Sequence, residues 1–222
     1  MKKIFLFSIL FILFFNLNSY SQSMYLKKGR SGLGISVGYF YNENYPSLGV
    51  GLGYSIKGIV DISIGANRAV FKEGLYDSDI QRTNWGPSLQ LYALKQSKNM
   101  PFSLGAGAHY AKMSESGSEY NRLNISSKGS GYSIWIFNEK RVDSPGGTSV
   151  VPGYSITFTK SEAELKGDGH DLEETRNVTT LKIYAGISFR ISPDKFFCIN
   201  PSVSINKDLT TLGLSVSFIF SH

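Results

Sequence analysis

Acidic side chains that lie close together between positions 162 and 174 are the part of this chain best suited to metal chemistry. Carboxylate oxygens of this kind can bind a divalent cation. Their spacing differs from that of an EF-hand loop, so the segment is interpreted as a solvated acidic loop and no metal site is predicted. The side chains concerned are Asp168, His170, Asp171, Glu173 and Glu174.

Nucleophilic and proton-transferring residues are also sparse. His109 is the one histidine within a strand-like pattern, and Cys198 is the only cysteine. A single cysteine excludes an intramolecular disulfide, and nothing in the sequence activates this thiol, so Cys198 is predicted to be a small buried side chain. The chain has no Gly-x-Ser-x-Gly, no His-Glu-x-x-His and no phosphate-binding loop. No catalytic residue, no cofactor and no enzymatic activity are therefore predicted.

The elements that must position these residues are short alternating strands. The segment 210–220 carries large apolar side chains at its even positions from Leu212 onward, and small residues such as Gly213 and Ser215 between them. Because successive side chains of a strand point to opposite faces, one face is apolar and the other is small and polar. A membrane β-barrel needs this pattern, with lipid outside and a polar lumen inside. Seven further segments alternate in the same way, at 33–41, 48–56, 60–67, 85–94, 102–111, 181–190 and 197–205.

The eight segments predict a closed up-and-down antiparallel transmembrane barrel, because bacterial barrels have an even strand count with short periplasmic turns and longer outer loops. Both mature termini are then expected in the periplasm. Residues 114–178 are expected to form a long extracellular loop. Two strand-like pieces within it, 132–137 and 154–159, are interpreted as a hairpin above the membrane. They could instead be two more membrane strands, which would make ten.

The first residues have the layout of a secretory signal peptide. Two lysines precede an apolar stretch that is shorter than the about 20 residues needed to span a bilayer, and small residues precede the expected cut after Ser21. Residues 1–21 are thus assigned to the signal peptide and residues 22–222 to one barrel domain. Loss of the two lysines lowers the formal charge from +6 to +4. This balance fits contact with anionic lipid or lipopolysaccharide and does not argue for nucleic acid.

Aromatic residues fall near both ends of the outward faces. Aromatic rings prefer the two membrane interfaces, where an apolar ring keeps a polar edge hydrated. The expected girdle consists of Tyr39, Tyr41, Trp85 and Tyr110 at the outer rim, and of Tyr54, Phe102, Phe189, Phe197, Phe218 and Phe220 at the inner rim.

Glycine and serine dominate the inward faces, which predicts a narrow lumen. Asp61 and Arg190 both have inward parity near the inner rim. We expect them to form a structural ion pair, because charges in a lumen must be paired or hydrated. Pro201 lies in the middle of a strand pattern, and a bulge or a locally broken ladder is expected there because proline donates no hydrogen bond.

The closing segment carries the most specific motif. Residues 211–218 read Thr-Leu-Gly-Leu-Ser-Val-Ser-Phe, which is similar to the polar-x-Gly-x-x-apolar-x-apolar signal of barrel assembly. With its strands placed, the chain from about residue 24 to 222 resembles the small outer-membrane β-barrel superfamily of OmpA-type and OmpX-type proteins. More narrowly, it resembles the outer membrane β-barrel domain proteins of the Bacteroidota. Many such proteins end on an aromatic residue, whereas this chain ends Phe-Ser-His. The resemblance implies an outer-membrane location and contact with the barrel-assembly machinery during biogenesis.

The function expected is that of a non-enzymatic barrel whose long loop binds or stabilises, through envelope integrity, adhesion or partner contact, because binding residues concentrate on long loops. A narrow porin-like channel for small solutes is the alternative. A lipid-modifying enzyme is a further one, since eight-stranded lipid A deacylases resemble this scaffold. Those enzymes place a catalytic histidine two residues before a serine, whereas Ala111 follows His109 at that spacing.

Overall fold

The chain folds into antiparallel strands joined by turns, and the computed structural model describes residues 22–42, 45–73, 78–117, 125–167 and 170–222. The expected signal peptide lies outside the described residues. No helix in the described part is both long and apolar enough to cross a membrane. The strands are β1 (Gly32–Asn42), β2 (Pro46–Ile56), β3 (Val60–Glu73), β4 (Ser78–Leu94), β5 (Ser103–Ser116), β6 (Ser126–Glu139), β7 (Val142–Asp143), β8 (Thr148–Gly167), β9 (His170–Ser192), β10 (Lys195–Ile205) and β11 (Thr210–Ser221).

Ten of these strands close into one barrel. Each pairs with its neighbours in the chain, β6 pairs with β8, and β1 pairs with β11 to complete the ring. In that closing pair Val37 lies opposite Val216 and Tyr41 opposite Leu212. The two-residue strand β7 pairs with β8 alone and adds nothing to the ring. The predicted all-β closed antiparallel barrel is confirmed, and closure leaves no open edge in the membrane-spanning wall.

Two wall strands, β6 and β8, lie within residues 114–178, for which the sequence favours a long loop with a hairpin. The structure corrects that interpretation, because β6 pairs along its length with β5 on one side and β8 on the other. The sequence favours the hairpin because charges surround the first piece, at Glu139, Lys140, Arg141 and Asp143; of these, Glu139 is the last residue of β6 and the others follow the strand. Ten strands, the alternative that the sequence leaves open, is the observed count.

The two faces of the wall differ as the alternation predicts. Outward side chains such as Ile62 and Ile134 are more than half exposed, whereas inward ones such as Ser55 and Ser133 are buried. Inward glycines leave room for large neighbours: a Cβ at Gly107 would lie 2.1 Å from the Trp135 ring. An apolar belt that surrounds a closed barrel and covers a polar interior is a lipid-facing surface.

The prolines mark interruptions in the ladder. Pro201 pairs with Leu214 of β11, but the pairing of β10 with β9 skips Asn200 and Pro201 and resumes at Ser202. The locally broken ladder predicted at Pro201 is therefore confirmed. Pro87 has the same effect between β4 and β5, where pairing skips Gly86 and Pro87.

The two ends of the barrel are distinct. At one end, here called the terminal end, the His222 N–H donates to the Ser31 carbonyl at 2.9 Å, which joins the end of β11 to the segment before β1. The short turns β2–β3, β4–β5 and β9–β10 lie at this end, together with the β6–β8 connection. The short turns that the sequence predicts at 57–58, 96–99 and 192–195 thus share one end with the described termini, whereas the β10–β11 turn, which is also short, lies at the other end. The other end is called the opposite end.

A charge placed on the lipid face should be costly. Val216 lies in the middle of β11 between Val37 of β1 and Ile199 of β10. We expect Val216→Lys to destabilise the barrel by about 2–4 kcal/mol, the cost of a lysine near the bilayer midplane. Urea unfolding in lipid vesicles would measure it. Thr210→Lys, at the exposed start of the same strand, is the matched control and should change little. Equal unfolding midpoints for the two variants would contradict a lipid-facing position for Val216.

Candidate functional site

A short N-terminal segment, residues 22–26, enters the lumen from the terminal end and is here called the plug. All of its residues are buried, none being more than 5% exposed. The Tyr25 N–H donates to the Gln22 carbonyl at 3.0 Å, which folds the segment into a turn. The Gln22 amide donates to the Gly34 carbonyl at 3.2 Å on the inner wall. A Cβ at Gly34 would lie 2.6 Å from the Gln22 side chain, so the glycine makes the space that the plug fills.

Asp61 of β3 anchors the plug. The Ser23 N–H donates to its two carboxylate oxygens at 3.1 and 2.9 Å. The Ser23 hydroxyl also bonds to this carboxylate and to the Ser55 hydroxyl. Asp61 is only 3% exposed, so these bonds are made away from water. Hydrogen bonds to a charged acceptor are the stronger kind, and the carboxylate fixes the plug by its backbone.

The predicted lumen pair of Asp61 with Arg190 is wrong. Arg190 is exposed at the mouth, where its guanidinium donates to the carbonyls of Ser192 and Pro193 at 3.4 Å. Strands β3 and β9 are five steps apart around a ring of ten, so they stand on opposite sides of the lumen. The two strands that the eight-strand count omits create this separation, and Asp61 binds the plug instead.

Two cations hold the carbonyl groups of the plug. The Lys95 ammonium donates to the Ser23 carbonyl, and the Arg141 guanidinium donates to the Tyr25 carbonyl. Burial lowers the pKa of Lys95 to about 8, although the charges of Glu139 and Asp61 oppose the shift. Lys95 also lies 3.7 Å from the centroid of the neighbouring Tyr92 ring. The plug is thus bound through its backbone by one carboxylate and two cations.

Glu139 ties this polar region together. The Tyr92 hydroxyl donates to one of its carboxylate oxygens at 2.8 Å and the Tyr184 hydroxyl to the other at 3.4 Å. The Tyr92 ring packs edge-on against Phe137, next to Trp135. These aromatic side chains fill the lumen beside the plug.

The apolar side of the plug packs into a small core. Cys198 lies in this core and is only 1% exposed, as the sequence predicts for a structural cysteine. Gly186 opens space for the plug, since a Cβ there would lie 2.7 Å from the Tyr25 hydroxyl. The core consists of Met24, Tyr25 and Leu26 of the plug together with Val151, Cys198 and Ile219 of the wall.

A cleft of about 340 Å³ opens beside the plug at the terminal end. Tyr25 and Leu26 form part of its wall. The rest comes from the segment that follows the plug, the loop that contains β7, and the β9–β10 turn with the strand residues beside it. Most of the charged side chains that line the cleft are basic, and the one acidic side chain of its lining is Asp143. Burial raises the pKa of Asp143, but hydrogen bonds from Ser149 and Arg141 outweigh burial and hold it at about 2. Asp143 is therefore charged and already paired.

The cavity that His109 lines, nearer the middle of the barrel, is too small for a substrate. His109 lies opposite Ser88 in the β4–β5 ladder, but the Ser88 hydroxyl bonds to Ser63 at 2.6 Å. The adjoining cavity has a volume of about 20 Å³, enough for one water molecule. A histidine and a serine in register therefore do not amount to a catalytic site here.

The acidic segment is spread along a β-hairpin. Glu162 pairs with Lys160 at 2.9 Å, and Glu164 pairs with Lys166. Glu173 lies opposite Glu164 in the ladder. Asp168 lies outside the described residues. Within the described part of the chain, no three His, Cys, Asp or Glu residues are grouped to hold a metal ion.

This hairpin extends past the end of β10 at the opposite end. Strand β8 pairs with β9 as far as Gly167↔His170. On its other side β9 pairs with β10 only as far as Leu181↔Ile205. Residues 170–180 of β9 therefore have a strand neighbour on one side only among the described residues; this stretch is here called the free edge. The sequence carries a local signal for both strands of this hairpin, because residues 157–159 and 178–180 are β-branched or aromatic and favour strands.

The aromatic residues expected in the girdles point outward. Nine of the ten are among the exposed residues, and Phe197 is half-buried between Phe189 and Phe218, at ring-centroid distances of 6.2 and 5.1 Å. At the terminal end Tyr54 stacks on His222, with a hydroxyl-to-Nε2 distance of 3.1 Å. Their placement at the two membrane interfaces remains a prediction.

No family model matches this sequence, and no curated protein does. Among solved structures, the chain is similar to the β domain of the Bordetella autotransporter BrkA, with 7% identity over 86% of this chain and 98% of that chain and a TM-score of 0.54. It is also similar to the translocator domain of the autotransporter NalP from Neisseria meningitidis (12% identity, 88% and 89% covered, TM-score 0.49). A third match is the COG4313 outer membrane channel from Pseudomonas putida F1 (9% identity, 92% and 100% covered, TM-score 0.49). At such identities the likeness shows the fold alone, which is that of an outer-membrane β-barrel.

Proposed function

We propose that this protein is a non-enzymatic integral outer-membrane barrel whose protruding β8–β9 hairpin binds an extracellular partner. The terminal end, with both mature termini, then faces the periplasm and the hairpin faces outward. The free edge at residues 170–180 of β9 is the observation that supports this function best. Adhesion and contact with another envelope component are the biological roles that such a surface fits.

The free edge suits recognition through the backbone. A strand with one unpaired side presents N–H and carbonyl groups that an extended segment can pair with, as in β-augmentation. Outward side chains along it, such as Thr175, Asn177 and Thr179, are exposed. The Arg176 guanidinium donates to the Asp208 carboxylate at 2.9 Å, which fixes the base of the hairpin to the β10–β11 turn. A hairpin held at its base is a rigid template for pairing.

Charge narrows the class of partner. Acidic side chains outnumber basic ones along the hairpin, with Asp171 and Glu173 exposed on β9. An extended segment with lysine or arginine at alternate positions would pair with the backbone and complement this charge. Contacts with lipopolysaccharide along the wall and with the barrel-assembly machinery during biogenesis belong to the same proposal.

The channel alternative draws no support from the described lumen. The plug, Glu139 with its tyrosines and the aromatic side chains near Trp135 occupy the terminal half. Small-solute passage requires a continuous aqueous path, and a narrow barrel filled by side chains does not supply one.

The test compares hairpin variants on whole cells. In the shortened variant, residues 163–174 are replaced by Asn-Gly, which joins Glu162 to its ladder partner Thr175. The control variant replaces Lys207 in the β10–β11 turn by Gln. The probe is a labelled synthetic peptide with alternating lysine and threonine or valine. Saturable binding to wild type and control cells, with loss on the shortened variant, is expected. Equal binding to all three would overturn the proposal, and stable single-channel steps from purified protein would favour the channel instead.

A further inference from the structure

We infer that the cleft beside the plug is a binding site for a phosphate-bearing anion, and that the bound anion latches the plug in the lumen. This site lies at the terminal end, far from the hairpin, so the inference stands independently of the proposed binding function. Three features carry it: the cleft's volume, the charges that remain uncompensated in it, and its construction from both plug and wall.

The cleft has the size and the lining of a small-ligand site. Its volume of about 340 Å³ falls within the range of pockets that hold small molecules. Phe196 and Leu26 supply apolar walls, while Thr148, Ser149 and Ser144 supply hydroxyl groups. A phosphate group with a short ester substituent would meet both kinds of surface.

Some basic side chains of the cleft already bind other groups of the protein, here called committed, and others can still bind a ligand, here called available. Arg141 is committed: it donates to Asp143 at 2.6 Å, to Ser149 at 2.8 Å and to the Tyr25 carbonyl. These bonds compensate the negative charge of Asp143, and Lys27 lies 3.5 Å from its carboxylate. What remains on this lining is an excess of positive charge.

Arg30 and Arg190 are the available cations. The Arg30 side chain makes no hydrogen bond and no ion pair within the described part of the chain, although the field of Asp194 in the adjoining turn reaches it. Arg190 makes only two long bonds, of 3.4 Å, to backbone carbonyls. Guanidinium groups bind phosphate through paired N–H donors, with a geometry that carbonyl groups match poorly. A phosphate is therefore the better partner for both.

The cleft exists only when the plug is seated. Tyr25 and Leu26 belong to the plug and Arg30 follows it, whereas Arg190 and Phe196 belong to the wall. An anion that bridges Arg30 and Arg190 ties the plug-bearing segment to β9. Because coupling between two equilibria is reciprocal, anion binding must stabilise the seated plug to the same extent that seating improves anion affinity.

Cys198 is a built-in reporter of plug seating. It is the only cysteine in the chain and packs against the plug in the core at the terminal end. A thiol reagent can reach it from this end only when the plug leaves. The rate of Cys198 labelling in detergent, at fixed ionic strength and pH, is therefore a measure of the open population.

The experiment follows this rate as sodium phosphate replaces sodium chloride. Phosphate is expected to slow labelling in wild type with a saturable dependence. In Arg30→Gln/Arg190→Gln, the phosphate concentration that gives half of the maximal slowing should be at least about tenfold higher than in wild type. This loss of affinity follows from the removal of charge-assisted hydrogen bonds. Lys98→Gln, an exposed lysine at the same end but outside the cleft, should behave as wild type. No protection beyond chloride, or equal protection in the double variant, overturns the inference.

A second arm identifies the source of the phosphate. Protein is placed in phosphatidylglycerol vesicles and, separately, in phosphate-free glycolipid vesicles, both in phosphate-free buffer. If labelling of Cys198 is slow only in phosphatidylglycerol vesicles, and becomes fast there in Arg30→Gln/Arg190→Gln, the site binds lipid headgroups. Fast labelling in both, slowed by added phosphate, assigns it to a soluble phosphate. Slow labelling in phosphatidylglycerol that the double variant leaves unchanged overturns the site, because the lipid would then act elsewhere.

Discussion

Replacement of Asp61 by alanine should open the plug and expose Cys198 to thiol reagents. Asp61 receives the Ser23 backbone N–H and its hydroxyl while buried, and no solvent competes for these bonds. A hydrogen bond to a charged group contributes about 1.5–3 kcal/mol, so the labelling rate is expected to rise roughly 10- to 100-fold. Lys95, which also binds Ser23, loses one of its two nearby carboxylates in the same substitution.

The control for Asp61→Ala is Asp194→Ala, which removes a carboxylate at the same end of the barrel. Asp194 accepts a hydrogen bond from Ser192 in the β9–β10 turn, away from the plug. Its removal should leave the labelling rate of Cys198 within about twofold of wild type, as surface substitutions usually change stability little. Heat-modifiable migration on a gel would confirm that both variants are folded. Slow labelling of Asp61→Ala, equal to that of the control, would show that the carboxylate does not hold the plug.

The strands of the wall were predictable because each one carries a complete local signal. In β1 the outward Leu33, Ile35 and Val37 alternate with inward glycine and serine, and a lipid-facing wall needs nothing else. The pairing of β1 with β11 also followed, since a barrel in a membrane must close. Alternation in β6 and β8 is equally regular, with Tyr132, Ile134 and Ile136 outward. Lys140 and Arg141, which follow β6 at the mouth of the barrel, hid this alternation in the sequence.

Positions around the ring were not predictable from parity. Alternation assigns a side chain to a face, but the partner across the lumen depends on the number of strands between them. With two more strands than the favoured count, Arg190 moves to the far side from Asp61. This separation, together with the exposed position of Arg190 at the mouth, keeps Arg190 away from the buried Asp61.

The plug was beyond sequence reasoning for a different reason. A five-residue segment has no periodicity to detect, and its partners are distant in sequence: Asp61 is 38 positions from Ser23, and Arg141 is 116 from Tyr25. The one local sign of the plug in the sequence is the lack of side chains at certain inward positions. Inward glycines at Gly34, Gly53 and Gly186 are more than a narrow barrel needs, and each marks a place where the plug approaches the wall.

Replacement of Glu115 by alanine should destabilise the barrel severely. Glu115 and Arg82 lie directly opposite in the β5–β4 ladder, form an ion pair, and have side chains that are both only 2% exposed. Removal of Glu115 takes away the carboxylate that is paired with a buried guanidinium, and breaking a buried pair in this way costs about 3–5 kcal/mol. Urea unfolding in vesicles, followed by the fluorescence of the two tryptophans, Trp85 and Trp135, would measure the loss.

The double variant Arg82→Met/Glu115→Leu separates the cost of breaking the pair from the stability that the intact pair contributes. Both charges are gone and the replacement side chains fill a similar volume, so most of the lost stability should return, because apolar replacements of buried pairs are often neutral or stabilising. Arg82→Met alone should resemble Glu115→Ala, since it removes the guanidinium that is paired with the buried carboxylate. If the double variant were less stable than either single variant, the pair would be a net source of stability at this end of the lumen. The polar side chains beside it, such as Asn84, would then have to be counted as part of one network.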